Sequence, residues 1–489
     1  MRYRKLLNPW LGLTLSTLLF YPLFASLSDN VILLQWQKKN TLELILVLIL
    51  SAVIFTSLLW INSKLMSVVL RTAILLLLVF LPLFSFFYFF IEQLGLKALS
   101  LTAYKLVNYN LGFWCSFGGL LLFLVIILIA KYPLKVNKYI VTLLLLLSPI
   151  NLLAGLVLWK VKNTNSINAV NKNHFFNTTP TIPSSSFVVL LFDELSYDYL
   201  YKNCVVNPKY PNFKRLSLFS SNYHNAISPG VETTSAVPSI IMSHRYNKII
   251  MKNSSFYEVA TNNKEYSLNF ASDNIFALAQ AKGYKTFAYG PYLPYCSMFN
   301  NSLDGCRSFS LYNYATADTS FSILHPIMTV LCLWPKQKPF GYLKNIAMSE
   351  WQKKQTEENL KLILSTLKNK GDLFLYSHIF VTHVPHVFNK YGYYYNNNAY
   401  TEDNVSYTNA VEYADNILGQ VIDKMIKENI YDSSEIVVLA DHNFRVMYPG
   451  KENHIPLIIK RPYQTIGTDN NNLIHAEERL KSELINKPF

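Results

Sequence analysis

Long apolar stretches fill the first third of the chain, and nothing comparable follows them. Each stretch has about the 20 apolar residues that cross a hydrocarbon core roughly 30 Å thick. The stretches lie at residues 9–27, 41–61, 67–90, 111–130 and 139–159. This pattern predicts a transmembrane domain of five helices over residues 1–160. The first stretch follows basic residues, as in a signal peptide, but its length and the lack of a clean cleavage site predict a retained span.

A different pattern begins near residue 185, where short apolar runs alternate with helical stretches. Examples of the runs are SFVVLLFDE at 186–194 and SSEIVVLADH at 433–442, and the amphipathic stretch NILGQVIDKMIKEN precedes the second. Continuous apolar strands separated by amphipathic helices predict an α/β domain over residues 185–489, with a sheet covered on both faces. Residues 161–184 are polar, contain proline and lack periodicity, which predicts a linker.

Composition agrees with a membrane-embedded protein, because 51% of the 489 residues are hydrophobic and only 15% are charged. The formal net charge of +14 does not indicate nucleic acid binding. Neither zinc-finger spacing nor a basic helix with interleaved aromatic residues occurs. Basic residues beside a membrane instead favour anionic lipid head groups.

Basic residues also predict the orientation of the spans. Three groups would lie on one side of the membrane: Arg2, Arg4 and Lys5; Lys64 and Arg71; Lys131, Lys135 and Lys138. The positive-inside rule makes that side cytoplasmic, and Lys38 and Lys39 in an opposite loop count against it. Five crossings then carry the α/β domain to the far face.

The cysteines permit a disulfide. Cys115 lies in a predicted span, and the other four cysteines follow the membrane domain. An even number in an oxidising compartment allows pairing. We expect Cys296 and Cys306 to pair, because they bracket a loop that contains turn-forming residues. The alternative is four reduced, buried cysteines.

Acidic and histidine residues follow two predicted strands. Asp193 and Glu194 end the first strand, Asp441 and His442 end a later one, and His454 comes twelve positions after His442. Strand ends of this kind meet at one edge of an α/β sheet. Adjacent acids repel unless a cation compensates, so we predict a metal site, with Zn²⁺ or Mn²⁺ preferred over Ca²⁺. The alternatives are a helix cap at Asp193 and ordinary structural histidines.

Three histidines occur in the segment HIFVTHVPHVF. Strand alternation assigns His378 to the interior of the sheet and hence to a structural role. His383 and His386 follow the strand, so we predict a metal ligand at His383 and a substrate-contacting residue at His386. The alternative for both is a polar loop residue.

A nucleophile is predicted in the segment SPGVETTSAVPSIIMS. A glycine turn, two threonines and an apolar run indicate a turn that leads into a helix. Free N–H groups at a helix N-terminus stabilise an anionic phosphoryl group. A hydroxyl there, Thr233 or Thr234, becomes a nucleophile when a metal activates it. The alternative is simple helix capping.

Together these motifs resemble the alkaline phosphatase superfamily, specifically its sulfatase-like branch. The motifs are the acid at the first strand end, the hydroxyl before VPSIIMS, H-x-P-H, ADH and HIPLIIKRP. Five spans before such a domain resemble the phosphoethanolamine transferases of Gram-negative envelopes and the lipoteichoic acid synthases. The resemblance implies a mixed, mostly parallel central sheet sandwiched by helices. It also implies an inner-membrane protein with its catalytic domain on the periplasmic or extracellular face.

The resemblance also implies roles for individual residues. Asp193 matches the first acidic ligand and Glu194 the second acid of sulfatases. Thr233 lies five residues before Pro238, the place of the transferase nucleophile, and Thr234 remains an alternative. The remaining matched ligands are His383, Asp441, His442 and His454. Two departures occur: the C/S-x-P-S-R motif needed for formylglycine is missing, and Phe192-Asp193 stands where transferases carry Gly-Glu.

The predicted function is a two-step transfer by a metal-dependent enzyme. A phosphoethanolamine- or phosphoglycerol-type group would move from a membrane phospholipid to a lipid or glycan acceptor of the envelope through a phosphothreonine. His383, His386 or His454 would carry protons. The alternatives are a sulfatase-like hydrolase, in which water replaces the acceptor, and a non-catalytic lipid-binding regulator with the same fold.

Overall fold

The computed structural model describes most of the chain. The described residues are 2–29, 34–93, 127–163, 186–252, 255–270, 273–311, 313–317, 320–333, 341–368, 372–394, 404–444 and 453–486. The chain divides into two compact units. The first unit comprises Met1–Val31, Gln37–Ser166 and Phe321–Trp334, and the second comprises Ile32–Trp36, Ile167–Ser320 and Pro335–Phe489.

Within the described residues, the first unit begins with six helices. They are α1 (Arg2–Leu19), α2 (Tyr21–Asp29), α3 (Lys38–Lys64), α4 (Val68–Gln93), α5 (Pro133–Leu147) and α6 (Ile150–Asn163). Inward-facing leucines such as Leu15, Leu75 and Leu144 form the buried core of this unit. Most of the outward-facing side chains of α3 are apolar and exposed, as expected for a surface that faces lipid.

Three stretches of the described residues are long and apolar enough to cross a membrane: Lys38–Lys64, Val68–Phe87 and Pro133–Val161. A fourth span is present if Leu7–Leu19 and Tyr21–Ser28, bent by 62° at their junction, count as one. These four correspond to the predicted stretches at 41–61, 67–90, 139–159 and 9–27. The predicted span at 111–130 and the predicted linker at 161–184 lie largely outside the described residues, so the number five stays a prediction.

The second unit contains the predicted α/β domain. Its strands are β1 (Phe187–Phe192), β2 (Tyr201–Lys202), β3 (Val205–Val206), β4 (Ser221–Ile227), β5 (Ile249–Lys252), β6 (Ser255–Val259), β7 (Glu265–Leu268), β8 (Lys285–Pro291), β9 (Gly305–Phe309), β10 (Leu373–Ile379), β11 (Glu435–Ala440), β12 (His454–Lys460), β13 (Thr468–Asn470) and β14 (Ile474–His475). Its helices are α7 (Tyr197–Leu200), α8 (Pro211–Ser217), α9 (Thr233–Met242), α10 (Ile275–Ala281), α11 (Tyr295–Met298), α13 (Gly341–Thr366), α14 (Asn404–Lys427) and α15 (Ala476–Asn486). Two single 3₁₀ turns, Asn300–Ser302 and Tyr314–Thr316, lie among them.

One large sheet organises this unit. Within the described residues its strand order is β13-β4-β12-β11-β1-β10-β8-β9, and β14 also pairs with β4. The block from β11 to β9 is parallel, whereas β12 runs antiparallel to both β11 and β4. Helices flank the sheet, and every residue of β1 is buried, which explains its unbroken apolar sequence. The predicted mixed, mostly parallel sheet with flanking helices is confirmed.

The central register brings two strand ends together. Phe192, the last residue of β1, lies opposite Ile379 of β10 on one side and opposite Ala440 of β11 on the other. Because all three strands run parallel, the residues that follow them emerge at the same edge. Asp193 and Asp441 are therefore neighbours. The backbone N–H of Glu194 donates to the side chain of Asp441, which is 247 positions away in the sequence.

The predicted disulfide is present. Cys296 and Cys306 are bonded, with Cα atoms 5.6 Å apart, within the usual range. Cys204 is an exposed free cysteine, and Cys332 is a buried one. The bond closes the segment between α11 and β9, next to the sheet.

One segment joins the first unit although the residues on either side of it in the sequence belong to the second. It contains helix α12 (Leu324–Leu333) and was assigned by sequence to the domain at 185–489. The helix packs against α2 and α3 of the first unit.

Candidate metal centre and nucleophile

The site lies at the carboxyl edge of the central strands. Asp193 immediately follows β1, and its backbone N–H donates to the carbonyl of Ile379 at 2.9 Å, which extends the pairing one residue past the strand. Its carbonyl accepts a hydrogen bond from the hydroxyl of Thr382. Glu194 then turns the chain with φ of 58°, a left-handed conformation that a non-glycine residue adopts only when its surroundings hold it there. This turn aims the Asp193 carboxylate into the protein interior.

Asp441 occupies the equivalent position after β11 and is also fully buried. Its Oδ1 accepts the backbone N–H groups of Glu194 at 3.0 Å and His442 at 2.8 Å. Its backbone carbonyl accepts the hydroxyl of Ser228, which follows β4. These bonds fix the carboxylate so that Oδ2 points towards Thr233.

Thr233 is the first residue of α9. Its hydroxyl donates to Asp441 Oδ2 at 2.7 Å and lies 3.4 Å from Asp193 Oδ2 and 3.5 Å from His442 Nε2. The side chain is buried, at the positive end of a ten-residue helix. The predicted convergence of Asp193, Thr233, Asp441 and His442 is therefore present in the structure.

Thr234, the other predicted nucleophile, is half-buried and one position further along the helix. Successive helical residues point about 100° apart, so the two threonines cannot face the same carboxylates. Within the described part of the chain, the hydroxyl that reaches Asp193 and Asp441 belongs to Thr233.

When the ring of His442 is neutral, its neighbours fix which nitrogen carries the proton. Its Nδ1 lies 3.0 Å from the carbonyl of Asn443, so Nδ1 carries the proton and donates it. The lone pair of Nε2 then faces Thr233 and Asp441, whose Oδ2 lies 3.4 Å away. An imidazole held in this way can bind a cation or accept a proton.

His378 was assigned a structural role by strand alternation, yet its side chain belongs to this cluster. It is the sixth residue of β10 and fully buried, and its Nε2 lies 3.1 Å from Asp193 Oδ2. Its Nδ1 lies 2.8 Å from the hydroxyl of Tyr295. Each of Asp193, His378 and Asp441 offers a ligand atom within 4.8 Å of the others. His378 can reach the edge site from inside the strand because it is only one position from the last residue of β10.

The cluster fits a divalent cation. Asp193 Oδ1 is buried and, among the described residues, has no hydrogen-bond partner. A buried carboxylate oxygen without a partner is costly, and a cation would satisfy it. The carboxylate of Asp441 and the imidazole of His378 each offer a ligand atom within 4.8 Å of one on Asp193. These ligand types suit Zn²⁺ or Mn²⁺.

Electrostatics favour the ionised form of Asp193. Burial by itself would raise the pKa of this carboxyl group, but the charge of His383, the hydrogen bond from His378 and the charge of His442 outweigh it. The pKa of Asp193 therefore lies below its ordinary value. An ionised carboxylate is the form that binds a metal.

The other predicted residues have different surroundings. His383 stacks on Phe380 with ring centroids 4.3 Å apart, and its Nδ1 lies 2.7 Å from the carbonyl of Val384. His386 is buried, with one ring nitrogen 3.1 Å from Ser406 Oγ and the other 3.2 Å from the carbonyl of Thr382. Metal coordination by His383 and substrate contact by His386 stay predictions.

His454 and Glu194 were predicted as metal ligands. The Nε2 atom of His454 lies 3.0 Å from the carbonyl of His224, and the ring contacts that of Tyr197 in a tilted arrangement with centroids 4.3 Å apart. The backbone of Glu194 contributes to the site through its N–H group, and its carbonyl accepts the hydroxyl of Tyr407. Coordination by either side chain stays a prediction.

Comparison with known protein families agrees with this geometry. The family model described as Sulfatase matches residues 185–482, more than half of the chain. The chain belongs to the sulfatase family. The residues matched include every member of the cluster, so the sulfatase domain carries the site. Members of this family are enzymes that depend on metal ions, as the buried Asp/His/Asp group leads us to expect.

Solved structures similar to the sulfatase domain come from several bacteria. A protein of the alkaline phosphatase superfamily from Vibrio parahaemolyticus is 16% identical, with 63% of this chain and 71% of that chain covered and a TM-score of 0.41. The lipoteichoic acid synthase LtaP from Listeria monocytogenes is 14% identical, with coverage of 59% and 68% and a TM-score of 0.38. The phosphonate monoester hydrolase of Agrobacterium radiobacter is 13% identical, with coverage of 62% and 74% and a TM-score of 0.39. No curated protein sequence matches the chain.

Proposed function

We propose that this sulfatase-family protein is a membrane-anchored transferase. It would move a phosphoethanolamine- or phosphoglycerol-type group from a phospholipid to a lipid or glycan acceptor of the cell envelope. The observation that carries the proposal is the position of the Thr233 hydroxyl, 2.7 Å from Asp441 Oδ2 at the start of α9. A buried hydroxyl with two carboxylates and an imidazole around it has the surroundings of a nucleophile.

The first step is attack by Thr233 Oγ1 on the phosphorus of the donor lipid. An O–P bond forms to threonine, the bond from phosphorus to the diacylglycerol oxygen breaks, and that oxygen takes up a proton. Asp441 or the lone pair of His442 Nε2 receives the proton of the threonine hydroxyl, because both face it. The N-terminus of α9 stabilises the negative charge of the phosphoryl oxygens.

In the second step, an acceptor hydroxyl attacks the same phosphorus and the bond to Thr233 breaks. One of His383, His386 and His454 would carry the proton of this step. A divalent cation held by Asp193, Asp441 and either His378 or His442 would stabilise the alkoxide form of a hydroxyl and the charge on phosphoryl oxygens. Zn²⁺ is the preferred cation, and Mn²⁺ is the alternative.

A membrane location supports this choice of donor. Apolar stretches in the first unit are long enough to span a bilayer, and they precede the sulfatase domain in the chain. We propose that the domain lies on the periplasmic or extracellular face of the cell membrane, as the basic residues of the loops indicate. A donor that is itself embedded in the membrane then diffuses in two dimensions to the enzyme.

Hydrolysis is the second candidate, because the chain belongs to a family named for hydrolases. Water would replace the acceptor in the second step, and the first step would be unchanged. The formylglycine route to sulfate esters requires a cysteine or serine in the C/S-x-P-S-R motif, and the segment TTSAVPSIIMS lacks that motif.

Mass spectrometry of the intact protein tests the proposal. The full chain in nanodiscs that contain phosphatidylethanolamine and phosphatidylglycerol is analysed after addition of Zn²⁺. We expect an adduct of one phosphoryl head group on Thr233, absent from Thr233→Ala and retained in the neighbouring control Thr234→Ala. Turnover of labelled phospholipid should fall by roughly 10³-fold or more in Thr233→Ala.

The fate of the label separates the candidates. Label on an envelope lipid or glycan identifies a transferase, and free head group identifies a hydrolase. A protein that binds lipid but forms no adduct, and whose Thr233→Ala variant has the wild-type phenotype, would be a non-catalytic regulator and would refute both enzyme reactions.

A further inference from the structure

Helix α12 and the residues before it carry an exposed apolar surface within the sequence range that matches the sulfatase family. Phe321, Ile323, Leu324 and Ile327 are 50%, 42%, 59% and 40% exposed. The opposite face, which includes His325, Thr329 and Cys332, is buried. No Asp, Glu, Lys or Arg occurs from residue 320 to residue 333. Exposed clusters of this kind mark an interaction site.

The position of this segment indicates what covers the surface. Residues 321–333 belong to the unit that contains the candidate membrane spans, where α12 packs against α2 and α3. The exposed apolar residues of α3, such as Ile49 and Val53, have the same character as those of α12. Helices α12 and α3 belong to one compact unit, and both expose apolar side chains. We therefore expect both surfaces to face lipid.

A buried acid of a span holds the segment in place. Glu43 Oε1 accepts hydrogen bonds from His325 Nδ1 at 2.9 Å and from the backbone N–H of Ser322 at 3.0 Å. Its other oxygen accepts the amide of Asn40 at 3.3 Å, and the side chain has no exposed surface. A carboxylate inside a membrane domain is costly unless it is paired, so the partners indicate a specific anchor.

The length of α12 and the location of Glu43 predict how deeply this segment lies in the membrane. Ten residues of α-helix extend about 15 Å, half of the hydrocarbon thickness, so α12 cannot cross the bilayer. Glu43 is the sixth residue of α3, about 7.5 Å along the axis from the end that begins with Lys38 and Lys39. Lysines of this kind lie at the membrane surface. The anchored segment therefore lies in the outer part of the bilayer.

We propose that residues 321–333 form a lipid-facing interfacial helix, docked on α3 through Glu43 and inserted in the membrane leaflet. The proposal does not depend on the reaction that the sulfatase domain catalyses. It adds a membrane contact in the middle of the domain sequence, far from the N-terminal spans along the chain.

Site-directed spin labelling of the full chain in phosphatidylethanolamine and phosphatidylglycerol nanodiscs tests this contact. Cys115, Cys204 and Cys332 are first replaced by alanine, and the Cys296–Cys306 disulfide is kept. A nitroxide is then placed at Ile327→Cys or, in a second variant, at Leu324→Cys. Reference labels of matched exposure are Leu153→Cys on α6, 61% exposed, and Val205→Cys in the second unit, 63% exposed.

We expect the labels at 327 and 324 to resemble the label at 153, with greater accessibility to oxygen than to a water-soluble nickel chelate. Accessibility like that at 205 would place the helix in water and overturn the proposal. Low accessibility to both reagents with an immobilised spectrum would show a protein partner and would also overturn it.

The anchor is tested in the same label series. In a Glu43→Leu background, Ser322 and His325 lose their acceptor, so the label at 327 should become more mobile and lose its preference for oxygen. An unchanged spectrum would show that the carboxylate does not hold the segment. Neither result depends on turnover of phospholipid, so failure here is distinguishable from failure of the proposed enzyme.

Discussion

Replacing Tyr407 with phenylalanine should destabilise the turn that carries the acidic residues. The Tyr407 hydroxyl accepts the backbone N–H of Ser196 at 2.8 Å and donates to the carbonyl of Glu194 at 2.6 Å. The ring stacks on Phe444 with centroids 4.0 Å apart. The substitution removes the hydroxyl and keeps the ring, so its effect reports the two hydrogen bonds.

The magnitude follows from the two backbone groups left without a partner. Each buried donor or acceptor that loses its hydrogen bond costs about 1–3 kcal/mol. Both groups belong to the segment after Asp193 and are buried, so we expect the free energy of unfolding to fall by about 2–4 kcal/mol. The melting temperature should fall by roughly 5 °C or more. Glu194 would also leave its left-handed conformation more easily, and metal affinity should weaken with it.

Thermal unfolding of the full chain in nanodiscs, followed by intrinsic fluorescence, measures this change. Tyr413→Phe is the matched control, because Tyr413 lies on the same helix α14 and its ring contacts that of Phe388 with centroids 4.8 Å apart. The described residues provide no hydrogen bond to the Tyr413 hydroxyl, so its loss should cost less than about 0.5 kcal/mol. Equal melting temperatures for the two variants would refute the reasoning.

Three further predictions concern the same domain. Zn²⁺ at 100 times its Kd should stabilise the wild type by up to about 2.7 kcal/mol and so raise its melting temperature. The rise should be much smaller in Asp193→Asn, and equal rises in the two proteins would exclude Asp193 as a ligand. Asp415→Asn should lower the free energy of unfolding by denaturant by about 1–3 kcal/mol. Asp415 Oδ2 accepts the side-chain amide of Asn212 at 2.9 Å, and an amide group at that position would place two donors against each other. An unchanged free energy of unfolding would contradict this prediction. Gly290→Ala should weaken Zn²⁺ binding measured by calorimetry, since an added Cβ would lie 2.6 Å from the Cβ of His378 and displace it; unchanged affinity would show that His378 is not needed.

Several features of this protein were predictable because they depend on local sequence. Apolar stretches of spanning length identify candidate membrane helices, since lipid imposes one length and one polarity on every span. Buried strands produce unbroken apolar runs such as FVVLLF at 187–192, and the residues after them emerge at the sheet edge in any parallel arrangement. Asp193, Asp441 and His442 were identified in this way.

The choice between Thr233 and Thr234 required the structure. Both residues occupy the first turn of α9, and sequence spacing alone does not define the direction in which either side chain points. The position of the helix relative to β1 and β11 directs Thr233 towards Asp441.

His378 shows the same limit. Its sequence position inside a buried strand predicts a structural residue, and only the pairing of β10 with β1 brings its Nε2 to Asp193. Strand register depends on contacts between residues far apart in the chain, so the sequence of one strand alone does not determine it.

Helix α12 extends this argument to domain boundaries. Its apolar sequence is compatible with the core of the α/β domain or with a membrane, since both bury apolar side chains. Its hydrogen bonds to Glu43, 282 positions from His325, assign it to the membrane unit. The sequence determines which segments avoid water, whereas the tertiary structure decides which partners cover them, because burial depends on the whole chain.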